Sequence, residues 1–223
     1  MTAEVAASPK PPGRLQRGVA ALVSKPYFWV AFVLLLVALP ILHSVRVQLP
    51  PMRPVLGGVP SFEARDALGT SFGTAQLRGK AWLGAFFFTR CGEPCEPAAK
   101  AMSKIQHRMR NIGRAFQLVL LSGDAAYDTP ERLIEYARGR RASAFLWKFV
   151  TTPPAEVRQA IAAAYRGSKP GVTAADEEAL DKGGIFFLVD TIGRIRAFYP
   201  TPATAEAQDE VLSDAALVLN RGG

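Results

Sequence analysis

Cys91 and Cys95 are the only cysteines in a chain of 223 residues. They follow an apolar run at 81–88 and precede a helix-like stretch that begins near Pro97. That order puts both thiols on a strand-to-helix turn. A helix N-terminus carries unpaired N–H groups and partial positive charge, which stabilise a sulfur anion. The thiolate attacks disulfides and binds soft metals. Two thiolates suit Cu(I); they equally suit reversible disulfide chemistry, in which one sulfur attacks and the other resolves. Arg90 and the helix terminus favour the anion, whereas Glu93 and Glu96 oppose it. The alternative, a pair of buried small apolar residues, fits poorly with two cysteines on one short loop.

No second catalytic set emerges. The chain has only two histidines, His43 and His107, too few for a Ser-His-Asp or Cys-His arrangement. No glycine loop precedes a Lys-Ser/Thr pair to cradle phosphate.

The elements that would position the thiols follow from apolar periodicity. The run 81–88 has the length of a strand buried on both faces, and 115–122 is a second. Helices are expected over 97–114, 129–141, 154–165 and 204–220. Asp128 is expected to cap the second of these, with Pro130 at its first position. Residues 61–68 read as a short strand, 167–173 as a surface loop, and 184–189 with 194–199 as a hairpin. Asp124 reads as a turn residue or a neighbour of the site, and Trp147 as core or a pocket wall. This order gives an α/β fold, a mixed central sheet with helices on both faces, which is the thioredoxin-like layout.

Ahead of that domain, no charge occurs between Lys25 and Arg46, a stretch of about 20 residues, enough to cross a bilayer as one helix. Tyr27, Phe28 and Trp29 suit an interfacial belt. Lys10, Arg14, Arg17 and Lys25 precede the stretch against a single Glu4, so the positive-inside rule puts the N-terminus in the cytoplasm. A cleaved signal peptide is the alternative, but no A-x-A-type site follows the apolar run. The expected organisation is a flexible tail at 1–26, a transmembrane anchor at 27–45, a Pro-rich linker at 46–59 and a globular domain at 60–221. The net charge of +8 would suit nucleic acid, but an extracytoplasmic domain meets none, so an anionic membrane surface or an acidic partner is expected instead.

The stretch 86–95, F-F-F-T-R-C-G-E-P-C, resembles the Sco/SenC family of membrane-anchored thioredoxin-fold proteins. The family's motif falls on Thr89, Cys91 and Cys95. Its second signature falls on Ser122, Asp124, Asp128, Thr129 and Pro130, continued by Leu133 and Tyr136, and a further block falls on Trp147, Phe149 and Thr151. The resemblance covers about 60–199. It implies a role in assembling the binuclear copper centre of cytochrome c oxidase. It also implies a copper site of two cysteines and one histidine. The position of that histidine is Lys182 here, and neither His43 at the membrane exit nor His107, about 18 Å along a helix from Cys95, substitutes easily. Glu96 intervenes between the second cysteine and Pro97, and Ala125 stands where the family has proline. The C-x-x-C and cis-proline of ordinary thioredoxins are absent, Gly184 taking the place of the latter.

Three functions are therefore expected of Cys91 and Cys95. The first is a Sco-like accessory role in copper delivery or thiol reduction, with the oxidase's copper-centre subunit or another periplasmic thiol protein as partner. The second is a metal-independent thiol–disulfide oxidoreductase, favoured if the Lys182 ammonium points at the dithiol and lowers its pKa. The third is a redox-sensing binding module.

Overall fold

The computed structural model describes residues 23–45, 51–109, 114–151 and 153–221. The chain divides into two compact units, Met1–Pro51 and Met52–Gly223.

In the first unit, α1 (Pro26–Val45) runs 20 residues and contains Pro40. Its described side chains are mostly apolar and exposed, Leu34 and Val30 among them. The expected anchor coincides with this helix. Among the described residues, however, no helix is long and apolar enough to cross a membrane.

The second unit is built on one sheet in the order β1-β8-β7-β4-β5-β6-β2-β3. The strands are β1 (Gly57–Gly58), β2 (Glu63–Asp66), β3 (Ser71–Gly73), β4 (Ala81–Phe87), β5 (Phe116–Ser122), β6 (Trp147–Thr151), β7 (Ile185–Val189) and β8 (Arg194–Pro200). β4 runs parallel to β5, and β5 to β6, while β4–β7 and β7–β8 are antiparallel. Every residue of β4, β5 and β7 is buried. Alternate side chains feed two cores, as a period of two demands. Leu83, Ala85 and Phe87 meet Met102 and Ile105 on one face. Trp82, Phe86 and Phe187 meet Val157 and Ile161 on the other. Gly84 makes room between them, since a Cβ there would lie 2.3 Å from the Phe187 ring, which packs edge-on against Trp82.

The helices of this unit are α2 (Thr74–Leu77), α3 (Glu96–Met109), α4 (Pro130–Gly139), α5 (Ala155–Ser168), α6 (Ala174–Asp181) and α7 (Ala205–Arg221). Three differences from the sequence reading stand out. α6 was not expected; Thr173 opens it with a capping box, accepting from the Asp176 N–H at 3.3 Å while the Asp176 carboxylate accepts from the Thr173 N–H. β6 is a strand where only a signature block was seen. The sheet also reaches back into the stretch read as linker. Gly57 and Gly58 pair with Ile195 and Arg194, and Arg53 binds Asp214 and Glu210 of α7 at 2.5 Å each.

One buried charge holds the β7–β8 turn. The Asp190 carboxylate accepts from the N–H groups of Ile192 (3.1 Å) and Arg194 (2.8 Å), and from both the Arg194 and Arg196 guanidiniums at 2.8 Å. Burial works against its charge, but the Arg194 N–H and the two guanidiniums outweigh it and hold the carboxyl below the usual range. A depressed carboxyl adds stability above its unfolded pKa and loses it as pH falls through the folded one. Asp190→Asn should cost about 3 kcal/mol in urea unfolding, because Arg196 is left buried without its counter-charge. The wild-type protein should lose stability as pH drops below about 4, with a shallower fall in the variant.

Candidate redox and metal-handling site

β4 ends at Phe87, and the chain then makes two 3-10 turns, Thr89–Cys91 and Glu93–Cys95, before α3 begins at Glu96. Gly92 joins the turns at φ +67° and ψ −139°, a conformation open to glycine and strained for other residues. The double turn folds the two cysteines back on each other. Their Cα atoms are 5.7 Å apart and their sulfurs form a disulfide. Cys91 is half-buried, whereas Cys95 is only 4% exposed. The pair thus joins a partly exposed cysteine to a covered one.

Cys95 is backed by the segment between α6 and β7. The Lys182 carbonyl oxygen lies 3.1 Å from Cys95 Sγ. In the disulfide this sulfur has no proton, so the contact is a close approach of sulfur and oxygen. In the dithiol, the Cys95 S–H would be placed to donate to the carbonyl. The approach depends on Gly183, at φ +76°, where a Cβ would come within 2.9 Å of the Phe86 carbonyl and 3.2 Å of Ala98 Cβ.

The Lys182 side chain plays a different part from the one expected of an ammonium aimed at the dithiol. Its Nζ pairs with Glu178 one turn earlier on α6 and pulls that carboxyl below its usual range. Position 182 is therefore beside the sulfurs through its backbone, with its charge directed along the helix surface. His107 is exposed near the end of α3, and the side chain of His43 lies outside the described residues. Among the described residues, no group of three or more His, Cys, Asp or Glu side chains gathers to hold a metal.

Asp128 is not the cap of α4. The N-cap is Thr129, without a side-chain bond, and Asp128 is 1% exposed and turned inward. Its carboxylate accepts from the Thr89 N–H at 3.0 Å, the Thr89 hydroxyl, and the Ser122 hydroxyl at 2.6 Å. The end of β5 is thereby clamped to the residue that begins the cysteine turns. Tertiary partners outcompete the local cap because they satisfy the half-buried Thr89 donors and the buried Ser122 hydroxyl together. Asp124 is a neighbour of the site as well as a turn residue. It accepts from Arg90 Nε at 2.6 Å, and Arg90 in turn lies 4.9 Å from the Tyr127 ring. Glu96 is neutralised by Arg140 at 2.6 Å. Trp147 is core, stacked on Phe149.

Residues 55–216 match the family model described as SCO1/SenC, a stretch that holds both cysteines, Lys182 and the Asp128 clamp. The chain belongs to the SCO1/SenC family. A SCO1 protein homolog of Bacillus subtilis (strain 168) is 28% identical over 91 residues, which is 41% of this chain and 46% of that relative. The chain thus aligns to about half the length of that curated relative. Among solved structures, BsSco, described as a member of the Sco family of cytochrome c oxidase assembly proteins with a disulfide switch, superposes with a TM-score of 0.59 at 21% identity, covering 77% of this chain and 99% of that one. Yeast Sco1 with copper bound gives 0.55 at 20% identity over 74% and 94%. These likenesses show that the SCO1/SenC chain has the fold of the family.

Asp128→Ala in this SCO1/SenC protein should cost about 2–3 kcal/mol by chemical denaturation, since the Thr89 and Ser122 donors lose their shared acceptor. It should also speed reduction of the disulfide by dithiothreitol, because the turn that carries Cys91 is no longer clamped. A variant as stable and as slowly reduced as wild type would remove the clamp.

Proposed function

We propose that this chain is a membrane-anchored SCO-type accessory protein of cytochrome c oxidase assembly that works by dithiol–disulfide exchange at Cys91 and Cys95. The observation that carries this reading is the asymmetric disulfide, one sulfur half-exposed and the other held against the Lys182 carbonyl. A thiolate of a partner dithiol attacks Cys91 Sγ, the S–S bond breaks, and Cys95 leaves. Cys95 takes a proton and donates it in a hydrogen bond to the Lys182 carbonyl. The partner's second thiol then attacks its own sulfur in the mixed disulfide and releases Cys91 as a thiol. Two electrons and two protons pass from partner to protein, and the reverse sequence reduces a partner disulfide. Loss of the lysine's charge to Glu178 means that exchange here does not depend on an ammonium beside the sulfurs.

Copper enters this reading as cargo. The reduced pair offers two thiolates to Cu(I), which accepts few ligands. Position 182 supplies no imidazole, so a third donor would come from outside the described site. Copper bound to yeast Sco1 supports the metal half of the proposal, and the disulfide switch of BsSco supports the redox half. The partner class is the oxidase's copper-centre subunit or another extracytoplasmic thiol protein. The stretch between Lys25 and Arg46, free of Asp, Glu, Lys and Arg and preceded by Lys10, Arg14, Arg17 and Lys25, supports a single-pass anchor with the globular domain outside the cytoplasm. On this reading 1–26 is a cytoplasmic tail, 27–45 the anchor, 46–59 a linker and 60–221 the working domain.

Two measurements test the proposal together. In dithiothreitol redox buffers, Cys91–Cys95 should open and close reversibly as a two-electron couple; a disulfide that stays shut in excess reductant would remove the exchange role. In Cu(I) competition with a chelator, reduced wild type should bind measurably and Cys91→Ser should not. Lys182→His should then bind about tenfold or more tighter, by adding an imidazole at the family's position. Equal binding by wild type and Cys91→Ser would remove the copper cargo.

A further inference from the structure

One groove opens directly from the cysteine turns. It is lined by Glu93, Pro97, Lys100, Ala101, Lys104 and Ala203, with Glu96 at its edge. Glu93 lies between the two cysteines, so anything seated in the groove also touches the redox loop. The wall is α3, whose apolar side chains Ala98, Met102, Ile105 and Met109 are buried. The helical repeat turns Lys100 and Lys104, four residues apart, together toward the outside, and both are exposed.

The cations around the site differ in how they are used. Arg90 is paired with Asp124, Arg140 with Glu96, Lys182 with Glu178, and Arg108 with Asp209. Arg132 lies on the Tyr127 ring at 3.7 Å and donates to the Tyr127 carbonyl at 3.2 Å. Among the described residues, Lys100 and Lys104 have no such partner, although they share a groove with two carboxylates. Glu96 is already taken by Arg140, whereas Glu93 is exposed and in no ion pair among the described residues, so an acidic segment must place its carboxylates at the lysine end of the groove. Between the lysines and the cysteine loop the floor is Pro97, Ala101 and Ala203, small side chains that let an extended backbone come close.

We propose that Lys100 and Lys104 form the docking contact for an acidic segment of the protein that exchanges disulfides with Cys91–Cys95. The inference rests on the exchange reading above and adds the chemistry of the partner. An extended chain with carboxylates beside its own cysteines fits the groove: its backbone lies over Ala101 and its acids meet the two lysines. Of the net charge of +8, +3 belongs to the tail at 1–26; the +5 of the remaining chain draws such a partner in at long range, and the two lysines set where it lands.

The test uses the full-length oxidised protein in detergent and two synthetic dithiol peptides, identical except that glutamates or lysines flank the cysteines. Rate constants for reduction of Cys91–Cys95 are measured by rapid acid quench. At low salt the glutamate peptide should react about tenfold faster or more, the gap closing toward about 0.5 M salt. Lys100→Glu/Lys104→Glu should abolish or invert the preference. Its rate with dithiothreitol, whose attacking thiolate carries a single charge and no flanking acids, should fall far less than its rate with the glutamate peptide. Arg78→Glu/Arg114→Glu makes the same charge change where the chain enters β4 and β5, at the far end of the sheet, and should keep most of the preference. An unchanged preference in the Lys100/Lys104 variant would overturn the proposal, as would an equal loss in the remote variant, which reduces the effect to bulk charge. Failure of dithiothreitol itself to reduce the wild-type disulfide would instead sink the exchange reading on which the proposal stands.

Discussion

Two sulfurs joined by one bond occupy unlike surroundings, and the chemistry of the domain depends on that difference. Cys91 faces outward on a short turn, while Cys95 is covered and meets the Lys182 carbonyl. The contact is made by segments 87 residues apart in the chain, so it exists only once β4 and β7 are paired. Gly183 permits the close pass, and Gly92 folds the turns that bring Cys91 back over it. A symmetric pair would have no preferred leaving sulfur. Here the burial of Cys95 leaves Cys91 as the sulfur a thiolate can reach, so Cys95 is the one displaced.

The electrostatics around the pair are largely settled inside the protein. Arg90, Arg140 and Lys182 each face a carboxylate, so these charges around the loop are paired, while Glu93 between the cysteines is exposed and, among the described residues, in no ion pair. Exposed pairs of this kind contribute little to stability. Their value is positional: Arg90 and Asp124 tie the cysteine turn to the β5 loop from outside, as Asp128 does from within.

Much of this was legible in the sequence. Continuous apolar runs gave β4, β5 and β7, and the order of runs and periodic stretches gave a mixed sheet with helices on both faces. The strand-to-helix location of the cysteines was readable because 81–87 is apolar throughout. Asp128 was misread because an acidic residue before a Thr-Pro pair is a good local cap, and only the fold brings Thr89 and Ser122 to it. Whether the Lys182 ammonium faces the dithiol was left open by the sequence, and the structure turns it to Glu178 instead. Sequence offers a residue's side chain for inspection, whereas the structure uses this residue's carbonyl. α6 was missed because its turn signals at 167–173 suggested loop, although Thr173 and Asp176 are the spaced pair that opens a helix. The strand at Gly57–Gly58 has no side chains to signal it and follows from pairing with β8 alone.

The account stands most directly on which sulfur a partner attacks. Oxidised protein mixed with a single-thiol reagent, quenched within the first turnover and digested, would give the site of the mixed disulfide by mass spectrometry. The adduct should sit on Cys91, with Cys95 recovered as a free thiol. An adduct found mainly on Cys95, or shared equally between the two, would contradict the unequal pair on which the mechanism is built.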